Sequence, residues 1–231
     1  MRILTVGCSW TEGYGLKEDE LPWPMLLGHD VDNHGTSGAS NEKIYKIFSS
    51  NMRKEKYDLV IVGWSGVTRR SYGSRTIDFC YVPPNLQNRR EIIFKEIKTL
   101  DLMIGPTKEY EKLIRQKCLN TCTEIIFFSV FDEILTGENY LPFTFFEYLV
   151  KQDNSIGFKH RMPIFEFDWM SDKNYKLVSR FAKKNMGKDW QRAVVERENH
   201  RPSKYFLPCG HPNAAGHREF ANYIKEQMEI K

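Results

Sequence analysis

Three short apolar runs punctuate the chain: Ile3–Val6, Leu59–Val62 and Ile125–Val130. Runs of this length without polar alternation predict strands buried on both faces, as in a parallel sheet. Between them the apolar period changes to that of a helix. In 41–52, Ile44, Ile47 and Phe48 share one face, with Ser40 or Asn41 able to cap. A second helix is predicted over Tyr110–Leu119. A third covers Asn213–Met228, where Phe220, Ile224 and Met228 recur every four residues and Pro212 suits a first turn. Strand and helix in alternation predict an α/β fold, a three-layer α/β/α sandwich on a flavodoxin-like parallel sheet. Ligands of such sheets bind at the carboxyl ends of the strands.

Two long stretches interrupt the alternation, at about 67–108 and 132–205. The second holds Tyr140, Phe143, Phe145, Phe146, Tyr148, Phe158, Phe165, Phe167, Trp169 and Trp190. Such aromatic density is foreign to linkers and disordered tails. It predicts an aromatic-rich insertion capping the strand ends, within one domain spanning 1–231.

Composition narrows the field. A 231-residue chain with 41% hydrophobic and 28% charged residues can bury a sizeable core. A net charge of +4 from 34 basic and 30 acidic residues carries no polyanion signature, so nucleic acid ranks last among partners. Five scattered cysteines (Cys8, Cys80, Cys118, Cys122, Cys209) form no disulfide framework, and neither they nor His211 and His217 complete a metal set. No metal or other cofactor is expected. Cys118 and Cys122, four apart on a predicted helix, could place two thiols on one face, but with no second pair to complete a zinc set they read as buried, reduced thiols. The N-terminal apolar run is too short for a secretory signal, and no later run reaches membrane-spanning length, which predicts a cytoplasmic protein with no membrane partner.

Candidate chemistry sits at the strand ends. Ser9 follows the first run after Gly7, Gly38 lies in the glycine-rich segment Gly35–Asn41, Ser65 follows the second run, and His211 precedes the last helix. A serine, a histidine and backbone amides at one sheet edge are the ingredients of nucleophilic acyl transfer. Imidazole can take a serine proton near neutral pH. Each residue also has an ordinary role: a serine after a strand caps a turn, a histidine at a helix start caps or faces solvent, and Gly38 serves a turn. Cys8, which points away from Ser9 at a strand end, reads as a small buried residue.

In this order the segments resemble the SGNH (GDSL-type) hydrolase superfamily of esterases, lipases and carbohydrate deacetylases. Gly7-Cys8-Ser9 with Thr11 and Gly13 looks like its first block, Asn33-His34-Gly35-Thr36-Ser37-Gly38 its second, Gly63-Trp64-Ser65-Gly66 its third, and Pro208-Cys209-Gly210-His211 its last. Enlarged insertions around a reduced motif set are also similar to SGNH-like proteins of large tailed phages. The resemblance implies a serine hydrolase cleaving an ester, an O-acetyl group on a carbohydrate among the candidates. Its nucleophile would be Ser9, its base His211, and its oxyanion hole Ser9, Gly38 and Ser65. Trp10, Trp64 and Arg69 are candidates for substrate contact, although Trp64 can equally pack into the core and Arg69 can equally be solvated or salt-bridged. Two positions depart from the family: Ser65 replaces an asparagine, and Pro208 replaces the aspartate that would orient the imidazole. Asp132, Asp168 and Glu198 are conceivable substitutes. The departures keep open a second reading, a catalytically degenerate module that binds a glycan, or a protein partner through its insertion, or that serves structurally in an assembly.

Overall fold

The computed structural model describes residues 1–67, 69–72, 75–78, 100–130, 135–152, 204–207 and 211–229. Strands β1 (Arg2–Gly7), β2 (Asp30–Gly35), β3 (Leu59–Trp64) and β6 (Glu124–Ser129) form a parallel sheet in the order β2-β1-β3-β6. Between β3 and β6 lies an antiparallel pair, β4 (Arg69–Tyr72) and β5 (Arg75–Asp78). The order reverses between β1 and β3, so the crevice above their carboxyl ends is the topological switch point of the sheet.

The three apolar runs are the strands that are buried on both faces. Every residue of β3 is buried, as are the last five of β1 and of β6. β2 is a strand that the apolar pattern does not reveal. Its sequence, Asp-Val-Asp-Asn-His-Gly, is only partly buried at the sheet edge, and polar bonds hold it there. The Arg2 guanidinium reaches Asp32 at 3.1 Å, and the Tyr57 hydroxyl donates to the same carboxylate at 2.8 Å. Beyond β6, Tyr140 makes a parallel bridge to Phe127 that covers the other edge.

Helices close both faces. On one, α2 (Asn41–Asn51) and α3 (Leu100–Asn120) lie together, Tyr45 stacked on Tyr110 at 5.2 Å. Ser40 caps α2 by accepting the Lys43 N–H, a contact worth about 1 kcal/mol. On the other face, α4 (Phe145–Gln152), α5 (Ala214–Glu229) and a 3₁₀ turn (Trp23–Leu26) converge on Phe128, which Trp23, Phe145 and Phe220 surround within 6.1 Å. The result is the expected α/β/α arrangement.

Three expectations change. Helix α3 begins at Leu100, so the stretch expected as an insertion at about 67–108 holds the β4–β5 hairpin and the start of a core helix. The aromatics at 140–148 belong to the core: Phe145 stacks on Phe220 at 3.6 Å, and Tyr148 on Tyr223 at 4.2 Å. Phe158, Phe165, Phe167, Trp169 and Trp190 lie outside the described residues. Cys122 does not share a helix face with Cys118. It sits past the end of α3 in a left-handed conformation (φ 52°), exposed, whereas Cys118 is buried and its thiol is pushed up to about 12 by that burial. No helix among the described residues is long and apolar enough to cross a membrane.

Candidate active site

The nucleophile candidate is positioned by the turn from β1 into α1 (Ser9–Glu12). Gly7 permits that turn. A Cβ there would lie 2.0 Å from Thr11 Oγ1 and 3.2 Å from the Gly63 carbonyl oxygen, so only glycine lets α1 fold back over the strand end. The Cys8 carbonyl accepts the Thr11 and Glu12 N–H groups at 2.9 and 3.0 Å, and the Ser9 carbonyl accepts those of Gly13 and Tyr14 at 3.0 and 2.9 Å. Cys8 itself is fully buried. β2 clamps the same helix. Asn33 Nδ2 donates to the Thr11 carbonyl at 3.0 Å, while Asn33 Oδ1 accepts from Thr5 Oγ1 at 3.1 Å and from the Gly35 N–H at 3.0 Å. Gly35 presses directly on α1, where a Cβ would meet Glu12 N at 2.1 Å.

The histidine arrives from the far end of the chain. The Leu207 N–H donates to the His211 carbonyl and the Asn213 N–H to the Tyr205 carbonyl, both at 2.8 Å, so the two segments run antiparallel. Asn213 caps α5: its Oδ1 accepts the Gly216 N–H at 2.9 Å, and its Nδ2 donates to the Lys204 carbonyl at 3.0 Å. Pro212 therefore precedes the cap rather than entering the first turn. Gly216 is needed because a Cβ would lie 2.5 Å from the Tyr205 carbonyl oxygen.

These two loops bring His211 Nε2 to 3.0 Å from Ser9 Oγ. Ser9 is 5% exposed, within reach of a small ligand but shielded from bulk water. Two rings flank the imidazole. Trp10, buried and edge-on to Phe145, lies 6.3 Å from it, and Tyr14, 53% exposed, lies 4.9 Å away. Nothing in the sequence pattern singled out Tyr14. For Nε2 to accept the serine proton, the ring hydrogen must reside on Nδ1.

His217, six residues on, is a different kind of histidine. It is fully buried, and its Nδ1 accepts the Trp23 N–H at 3.2 Å. Burial first, and the neighbouring His211 second, pull its pKa down to about 3. It stays neutral at physiological pH.

The remaining candidates lie at neighbouring strand ends. The Thr36 N–H donates to the Gly7 carbonyl at 3.0 Å, and the Ala39 N–H to the Thr36 carbonyl at 3.1 Å. Gly38 lies in this turn at φ 69°, exposed. Ser37 Oγ donates to the Glu12 carboxylate, tying the turn to α1. Ser65 is fully buried, and its Oγ accepts from Arg69 Nη1 at 2.9 Å. Arg69, considered above for substrate contact, is thus engaged with Ser65.

Of the two roles open to Trp64, the structure describes packing. Strand alternation turns it toward α3, opposite the face covered by α5. Its ring, fully buried, stacks on Phe127, and its Nε1–H donates to Tyr140 Oη at 3.0 Å. Tyr140 in turn donates to Glu111 at 2.9 Å. Burial, with Glu111 beside it, holds that phenol protonated.

Pro208, Asp132, Asp168 and Glu198 lie outside the described residues. Among the described residues no group of three His, Cys, Asp or Glu side chains could hold a metal ion. An open cavity of about 830 Å³ lies elsewhere, between α3 and the start of β6. Glu111, Arg115, Glu124 and Asn139 line it, and neither Ser9 nor His211 does.

No protein-family model matches the chain, and no curated protein matches it. Among solved structures it is similar to Axe2, an acetylxylan esterase from Geobacillus stearothermophilus, at 14% identity and a TM-score of 0.48 over 100% of this chain and 94% of that one. It is similar to LAE5, an alpha/beta hydrolase enzyme from the metagenome of Lake Arreo, Spain, at 13% identity and a TM-score of 0.48, covering 99% and 94%. A member of the lipolytic protein G-D-S-L family from Veillonella parvula DSM 2008 aligns over 100% of both chains at 12% identity, with a TM-score of 0.46.

Proposed function

We propose that this protein is a serine ester hydrolase with Ser9 as nucleophile and His211 as general base. One observation carries the reading: the 3.0 Å contact between Ser9 Oγ and His211 Nε2 at the switch point of a parallel sheet. Ser9 Oγ attacks the acyl carbon while Nε2 takes its proton. The tetrahedral oxyanion faces the N–H groups of Ser9 and Gly38 and the Ser65 hydroxyl. Collapse expels the alcohol, which receives the proton back from Nε2. Water then attacks the acyl-serine, with Nε2 again accepting a proton and returning it to Ser9.

The substrate class we propose is a short acyl ester, an O-acetyl group on a carbohydrate first. Ser9 is nearly buried, which suits a small acyl group, and Tyr14 offers a half-exposed flat ring beside the imidazole for the alcohol moiety. An active-site-directed fluorophosphonate is expected to label folded protein at Ser9. Ser9→Ala abolishes labelling, and His211→Ala lowers kcat on 4-nitrophenyl acetate by roughly 10²–10⁴. Folded protein that neither labels nor turns over would refute the hydrolase and leave a binding module on the same scaffold.

A further inference from the structure

Ser65 and Ser9 leave the sheet at the same level. Val6 pairs with Val62 in the β1–β3 register, and each serine stands three residues beyond its valine. Ser65 is fully buried, yet its hydroxyl has a charged partner, Arg69 Nη1 at 2.9 Å. The chain is built to return that guanidinium. The Arg69 N–H donates to the Gly66 carbonyl at 3.0 Å, and Arg69 then pairs with Asp78 as β4 meets β5.

A hydroxyl has one proton to give and two lone pairs, whereas a guanidinium only donates. Arg69 therefore occupies the accepting side of Ser65 Oγ. Among the described residues that oxygen makes no other hydrogen bond, so its own proton is left for a further acceptor. A hydroxyl that accepts from a cation is polarised and donates more strongly, the more so in a buried setting.

We propose that Arg69 is a positioning residue. Its guanidinium orients and polarises the Ser65 hydroxyl as a donor to the oxyanion formed in ester cleavage, and it does not contact the substrate. This inference rests on the serine-hydrolase reading above. It explains how a short hydroxyl serves where an amide would reach further: the cation behind it supplies the missing strength. Arg69 takes no proton and forms no bond to the acyl group. It acts only through Ser65.

The test is a double-mutant cycle read by kcat and KM on 4-nitrophenyl acetate, with thermal melts to confirm folding. Wild-type turnover that Ser9→Ala abolishes first establishes the parent reading; its absence removes the proposed function and this inference together. Given turnover, Arg69→Met should lower kcat about tenfold with KM within twofold, since the bond it strengthens matters in the transition state. Arg69→Lys, which keeps a cationic donor, should recover most of the loss. Arg69→Met should have no further effect in a Ser65→Ala background. Equal losses in both backgrounds, or raised KM at unchanged kcat, would overturn the proposal, the latter because Arg69 would then bind substrate directly. Should Arg69→Met fail to fold, Arg69→Lys and Ser65→Ala decide alone. Arg69→Lys as damaging as Ser65→Ala overturns the proposal, and near-wild-type kcat beside a deficient Ser65→Ala supports it.

Discussion

Replacing Gly35 by alanine tests whether β2 positions Ser9, the proposed nucleophile. The new Cβ would lie 2.1 Å from Glu12 N, 2.5 Å from Thr11 C and 2.6 Å from Glu12 Cα. All three are backbone atoms of α1, so no side chain can swing aside. Ordinary contact begins at 3.4 Å, and α1 must therefore retreat by roughly 1 Å. Ser9 rides on that four-residue helix, and its bond to His211 starts at 3.0 Å, with little room to lengthen. A displacement of this size costs about 10² in kcat/KM. Overpacking costs about 1–3 kcal/mol, near 2–4 °C in Tm for each kcal/mol in a chain of this size. Kinetics on 4-nitrophenyl acetate and a thermal melt supply both numbers. Gly28→Ala is the control: nothing lies within 4 Å of its Cβ, but its φ of 79° imposes backbone strain of about 1–2 kcal/mol. It should melt earlier and turn over normally. If Gly35→Ala matched wild type in both rate and Tm, α1 would not be seated on β2, and this account of how Ser9 is placed would be wrong.

Two further outcomes follow from buried polar groups. His217 binds a proton below about pH 3 when folded and near its ordinary 6.5 when unfolded. Its stabilising contribution is therefore complete above pH 6.5 and lost as pH falls toward 3, on the order of 4–5 kcal/mol in total. Urea unfolding of His217→Gln between pH 4 and pH 6 should show a pH slope shallower than wild type by about 1.4 kcal/mol per unit; parallel slopes would refute the assignment. Tyr140→Phe leaves the buried Trp64 N–H without its partner and should cost about 1–3 kcal/mol at unchanged kcat. A fall in kcat without a fall in Tm would put Trp64 back at the site.

Legibility in the sequence followed burial. β1 and β3 inside the sheet, and β6 at the edge that Tyr140 covers, are buried on both faces and appear as apolar runs, whereas β2 sits at the other, half-exposed edge and spends Asp32 and Asn33 on hydrogen bonds instead of apolar contact. That Ser9 and His211 come together was legible because a glycine-flanked turn at a strand end and a helix start leave a local signature. Side-chain direction left none. Trp64 and Ser65 are adjacent, but alternation sends the indole into the α3 face. Arg69 reads equally as a substrate contact or as a solvated or salt-bridged cation, and only the turn through Gly66 brings it to Ser65. Aromatic density at 140–148 does not distinguish cap from core. Tyr140 extends the sheet and Phe145 packs on α5 because β6 needs an edge partner and Phe128 a lid.

The two partners of the Ser9–His211 hydrogen bond stand 202 residues apart. At ordinary synthesis rates of about 5–20 residues per second, the serine waits roughly 10–40 s for its histidine to be made. On the proposed hydrolase reading, Ser9 has no base during that interval and is as unreactive as any other serine. The same separation works in reverse in the finished protein. Opening of the Tyr205–Asn213 pairing would withdraw the imidazole from Ser9. On the proposed hydrolase reading, turnover would report whether the segment that carries His211 is docked.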